Sequence, residues 1–156
     1  MTEPEAHVPY ITDPRETYVR WTPIGALPEA PVGEIEVRSL GEGQLSLLLR
    51  YDPPAQFDVR IEARGAMLVE VCGEFASRWQ ENQVALPKIG TSRAAWPLLE
   101  VLQSRWLASL SDTRLQCLSR ERYRHFELVS RGSQVSILAY AEPEAHLVPL
   151  DSGWND

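Results

Sequence analysis

Tyr123-Arg124-His125-Phe126-Glu127-Leu128-Val129-Ser130, followed by Arg131-Gly132-Ser133 and Gln134-Val135-Ser136-Ile137-Leu138-Ala139-Tyr140, is the stretch that decides the fold class. Both arms are rich in aromatic and branched residues, which suit a pleated, half-buried surface. A short Gly-containing turn joins them. The segment is therefore predicted to be an antiparallel hairpin, with Phe126, Leu128, Ile137 and Leu138 in the core.

Upstream, Trp96 to Leu110 admits two readings. Leu98, Leu99, Leu102, Trp106 and Leu110 fall near helical spacing, and Pro97 suits a first helical turn. Alternatively, Leu98 to Leu102 is a strand and Ser104 caps a short helix through Leu110. Phe75 to Gln83 reads as a short helix or an irregular turn, and Pro87 to Ser92 as a loop.

From Gly33 the pattern changes to period two. Ile35 and Val37 alternate with Glu34, Glu36 and Arg38, so one face is dry and the other wet. Gly41-Glu42-Gly43 makes a turn. Leu45 to Tyr51 is a dense apolar run, as in a strand covered on both faces, and Asp52-Pro53-Pro54 stops it. Phe57, Val59, Ile61 and Ala63 alternate with Asp58, Arg60 and Glu62. Arg64-Gly65 then reads as a hairpin turn, with Met67 to Glu74 returning as the partner strand. The expectation is a four-strand antiparallel meander. Glu34, Glu36, Asp58, Glu62, Glu70 and Glu74 would share its solvent face, diluted by Arg38 and Arg60.

Residues 1–32 hold six of the twelve prolines, which forbid regular helix and central-strand pairing. An extended arm is expected there, with a short edge strand around Tyr18 to Trp21. Residues 33–150 would form one globular domain and residues 151–156 a tail. The fold class is α+β, mainly antiparallel sheet of about six to seven strands with one or two short helices.

Composition sets bounds on function. At 156 residues and 44% hydrophobic, the chain buries a core without needing a metal or a disulfide. Cys72 and Cys117 are far apart and lack Cys-x-x-Cys pairing, so both read as ordinary thiols. No apolar run approaches the ~20 residues of a membrane span. Met1-Thr2-Glu3-Pro4-Glu5 is acidic, with no apolar stretch behind it, and does not resemble a signal peptide. A cytoplasmic location is expected. The net charge of −7 is uneven: residues 1–78 carry 13 acidic against 7 basic groups, and residues 79–156 carry 9 against 8. An acidic body repels nucleic acid and anionic membrane and attracts basic partners.

The search for chemistry returns little. His7, His125 and His146 show no metal-ligand spacing, and no phosphate-cradling glycine loop is present. Ser104 and Ser111 lack the flanking glycines of a nucleophile elbow, so capping is their expected role. His125 is the best placed of the candidate general bases, and an enzyme reading would need it to meet Glu127 or Asp112 in a cleft. Arg120, Arg122 and Arg124 would project from one side of a strand, but Glu121 and Glu127 interrupt them, so pairing within the molecule is expected. No catalytic residue, cofactor or metal is assigned.

Trp96-Pro97-Leu98-Leu99-Glu100-Val101, Ser104-Arg105-Trp106-Leu107, Tyr123 to Leu128, Val135-Ser136-Ile137-Leu138-Ala139 and Glu142-Pro143 occur in an order that resembles a family of small bacterial proteins. That family is similar to the immunity proteins of polymorphic toxin systems. The resemblance spans roughly Leu45 to Leu147, and Gln103 stands where the family pattern has Asn. It implies a strand leading into a short helix after Trp96-Pro97, and it carries over no functional residue. Functionally it implies a non-enzymatic immunity protein that neutralises a cognate toxin encoded beside it. The expected contacts are Glu34, Glu36, Asp58, Glu62, Glu70, Glu74 and Trp79, with Trp21 a further aromatic candidate. The alternative is a non-catalytic accessory or small-ligand-binding subunit of a secretion or regulatory assembly, which predicts a deep apolar pocket.

Overall fold

The computed structural model describes residues 16–73, 86–90, 94–110 and 120–150. Among these, nine strands form two antiparallel sheets. They are β1 (Thr17–Arg20), β2 (Val32–Gly41), β3 (Gln44–Tyr51), β4 (Phe57–Ala63), β5 (Ala66–Gly73), β6 (Leu98–Leu102), β7 (Arg124–Val129), β8 (Ser133–Ala139) and β9 (Glu144–Pro149). The larger sheet has the order β1-β6-β7-β8-β5 and the smaller the order β2-β3-β4-β9. A four-residue helix, α1 (Arg105–Ala108), follows β6, and a 3-10 turn (Arg120–Arg122) precedes β7.

Alternation places the core between the sheets. Leu47, Leu49, Val59 and Ile61 of the small sheet share one buried cluster with Leu98, Phe126, Leu128 and Ile137 of the large one. Each such side chain contributes about 1.5–3 kcal/mol when fully removed from water. Leu48 points to the other side of β3 and is also fully buried, as a run covered on both faces requires. Trp21, just past β1, packs its ring 4.5 Å from Phe126 and donates from Nε1 to Glu142 at 3.1 Å. It is 4% exposed, so Trp21 is a core residue and not a docking anchor.

The β7–β8 hairpin forms as its sequence predicts, in the register Phe126↔Ile137 and Leu128↔Val135. Ser130 closes the turn by accepting from the Ser133 N–H at 3.1 Å. Of the two readings of Trp96 to Leu110, the strand with a short helix is the one observed. Leu98–Leu102 is ladder-bonded on both sides, to β1 and to β7. Gln103 then takes a left-handed φ of 55°, which ends the strand and lets Ser104 cap α1.

The expected meander is corrected at its fourth strand. β2, β3 and β4 do pair in sequence, but β5 leaves them and pairs with β8 of the other sheet. Arg64-Gly65 is therefore a corner between sheets, not a hairpin turn. Gly65 has φ +72°, a conformation that a Cβ disfavours. The place beside β4 is taken by β9, which brings the strand total above six or seven. A second glycine matters at the β2 bulge, where a Cβ on Gly33 would lie 2.7 Å from Asp52 Oδ1. The arginine row is also corrected: Arg122 lies in the 3-10 turn and only Arg124 of the three stands on the strand.

Asp52 and Arg131 lace the sheets together. Their side chains form an ion pair, and the Arg131 N–H donates to the Val32 carbonyl at 3.0 Å. Among the described residues no helix is long and apolar enough to cross a membrane. Phe75 to Gln83 and both cysteine side chains lie outside the description.

Candidate functional site

The structure presents two places with functional character, one on each sheet. The first is the outer face of the small sheet. Register aligns Glu36 with Leu48, Arg60 and His146 in one row, and Arg38 with Ser46, Glu62 and Glu144 in the next. Glu34 stands opposite Arg50. Four expected contact residues, Glu34, Glu36, Asp58 and Glu62, are thus brought to one face.

They differ in availability. Arg50 pairs with Glu36 through Nε and approaches Asp58 at 3.6 Å. The hydrogen bond to Glu36, with the negative field of Asp58 and Glu34 behind it, holds the Arg50 guanidinium above its ordinary pKa. Asp58 is buried and accepts from the Tyr51 N–H at 3.0 Å, so it is a structural residue and not a contact. Glu62 is half-buried, Glu144 is exposed, and neither makes an ion pair within the described residues. Glu144 is a candidate contact that sequence reasoning missed, because no strand was expected after Tyr140. Glu70 is on the other sheet, where its backbone faces Ser136. Glu74 and Trp79 lie outside the described residues.

The second place is the face of the large sheet opposite Phe126 and Ile137. Ser104 Oγ lies 2.7 Å from His125 Nδ1, and His125 Nε2 bonds Glu127 Oε2. Ser104, His125 and Glu127 are all buried, at 7%, 1% and 0% exposure. Strand alternation explains the pairing, since residues two apart on β7 share a face. Ser104 Oγ also accepts from the Leu107 N–H at 3.0 Å, the capping bond of α1. With the imidazole proton on Nε2, facing the carboxylate, Nδ1 is the acceptor for the Ser104 hydroxyl proton. Trp106 packs edge-on to His125, 5.1 Å between centroids, and holds the ring. Glu127 Oε1 and Ser136 Oγ find no protein partner among the described residues.

Ser104 and His125 line a cavity of about 760 Å³, walled on its other sides by Val101, Leu107, Ala108 and Tyr123. Arg124 at its rim is held by a two-pronged bond to Glu100, both distances 2.7 Å, which raises its pKa above the ordinary value. Arg122 reaches the Tyr140 hydroxyl at 3.2 Å. These arginines are spent inside the molecule, as the interrupted row suggested. His125 and Glu127 are bonded to each other, but only His125 lines the cavity, and Asp112 lies outside the described residues. No group of three or more His, Cys, Asp and Glu capable of holding a metal occurs among the described residues.

The fold and these sites define an antiparallel β-sandwich with a charged sheet face and a separate buried polar relay. Comparison with family models, with curated proteins and with solved structures returned no match.

Proposed function

We propose that this chain is a binding protein of the immunity type, which docks the outer face of its small sheet onto a basic cleft of a cognate protein toxin in the cytoplasm. The observation that carries this reading is the pair Glu62 and Glu144. They stand directly opposite each other on β4 and β9, and like charges so placed destabilise a sheet. A cationic partner relieves that repulsion. A regular four-stranded ladder holds the carboxylates in fixed positions, so little order is lost on docking. The charge steers encounter and sets specificity more than it sets affinity.

The test is co-expression with the product of the adjacent gene. The proposal expects that product to be toxic alone and harmless with this chain, and the double variant Glu62→Lys with Glu144→Lys to lose protection while remaining folded. A non-toxic neighbour, or protection unchanged by the charge reversal, refutes it.

A further inference from the structure

The relay on the large sheet goes beyond docking. From its geometry we infer that Ser104 is a nucleophile toward activated carboxylic esters, with His125 as its base and Glu127 as the residue positioning that base.

Three features carry the inference. Leu107 N–H donates to Ser104 Oγ, and with the imidazole proton on Nε2 the geometry lets Oγ–H donate to His125 Nδ1 and Nε2–H donate to Glu127, one direction throughout. This is the order that lets a serine hydroxyl pass its proton to imidazole as it attacks, with a carboxylate stabilising the imidazolium that forms. Second, Ser104 stands at a strand-to-helix turn behind Gln103, which has φ 55°. Left-handed backbone in a residue with a side chain is strained, and such strain concentrates at functional positions. Third, both reacting residues line the 760 Å³ cavity, so a small acyl group has room beside them.

The site also limits its own substrate. The Leu107 N–H is spent on Oγ, and the Arg105 N–H is spent on Glu16 Oε2 at 2.6 Å. Neither is free to hold a developing oxyanion, so esters with good leaving groups, such as aryl esters, are the class that reacts. In the first step Oγ bonds to the carbonyl carbon and its proton moves to Nδ1. The ester C–O bond then breaks, and Nδ1 returns the proton to the departing phenolate. Water then attacks the acyl-serine with His125 taking its proton, releasing the carboxylic acid and restoring the hydroxyl.

The experiment is labelling of the intact native chain with an alkyl fluorophosphonate, read by mass spectrometry and peptide mapping, beside hydrolysis of p-nitrophenyl acetate. One adduct on Ser104 is expected, absent from heat-denatured protein. Ser104→Asn keeps a capping acceptor and removes the nucleophile, so it should melt near the parent chain while losing labelling and at least 100-fold in hydrolysis. Labelling elsewhere, no labelling of the native chain, or hydrolysis unchanged in Ser104→Asn overturns the inference. The Glu62→Lys with Glu144→Lys variant should label normally, so failure here and failure of the docking reading are told apart.

Discussion

Glu62 and Glu144 face each other across the β4–β9 ladder without an ion pair among the described residues to offset them. Cross-strand like-charge contacts cost about 0.2–1 kcal/mol. Glu144→Lys should therefore raise the unfolding free energy of the free chain, read from its urea midpoint and slope, by that amount while weakening binding to a basic toxin at least tenfold. A gain in stability joined to a loss of binding is the signature expected of a surface kept strained for a partner. Urea melts and calorimetric titration of the same sample check both halves.

Tyr51 gives a pH prediction. Burial, assisted by the negative charge of Asp58, pushes its phenol above the ordinary value of 10. The unfolded chain therefore ionises near pH 10 while the folded chain keeps its proton. Stability is fully present below pH 10 and falls above it, by about 1.4 kcal/mol per pH unit, until the folded phenol also ionises. The Tyr51 hydroxyl has no protein partner among the described residues. Tyr51→Phe should thus leave neutral stability unchanged or slightly higher and flatten the alkaline loss. Thermal melts from pH 8 to 11 decide it.

Trp21 should be the most sensitive single position outside the ladders. Its ring fills the space against Phe126, and its N–H is taken by Glu142. Trp21→Ala should cost about 3–5 kcal/mol, read as a shift of the denaturant midpoint without change in slope. Trp21→Phe should cost less, since it keeps the ring contact and loses the hydrogen bond.

The corner at Gly65 supplies a backbone test. Its φ of +72° penalises any Cβ, and Tyr140 Cβ would lie 3.6 Å away, an ordinary contact. Gly65→Ala should therefore cost about 1–2 kcal/mol through conformation alone. Gly132, with open space around it and no positive φ, should tolerate alanine, and the two variants compared by urea melts isolate the backbone effect.

Much of the sheet was legible because alternation is a local signal. Phe126, Leu128, Ile137 and Leu138 declare their faces from sequence, and the hairpin turn between β7 and β8 declares itself through Gly132. The partner of β5 was not legible. A two-residue link normally returns a strand onto its neighbour, and nothing local in Arg64-Gly65 distinguishes a hairpin from a corner. β9 was hidden because its two buried residues, Ala145 and Val148, stand three apart and break the period-two signal of a strand. Within the sites, the enzyme alternative named His125 with Glu127, and their i, i+2 spacing on β7 is what puts them on one face. Ser104 could not be joined to them, because its approach depends on β6 lying beside β7, a long-range fact.

The corner has a mechanical consequence. β4 and β5 are consecutive in the chain but belong to opposite layers, and only Arg64 and Gly65 lie between them. So short a tether has no slack, and one layer cannot peel away while the other persists without pulling a central strand out of register. Loss of either layer should drag the other with it, so tryptophan emission and far-ultraviolet dichroism should report a single coincident transition.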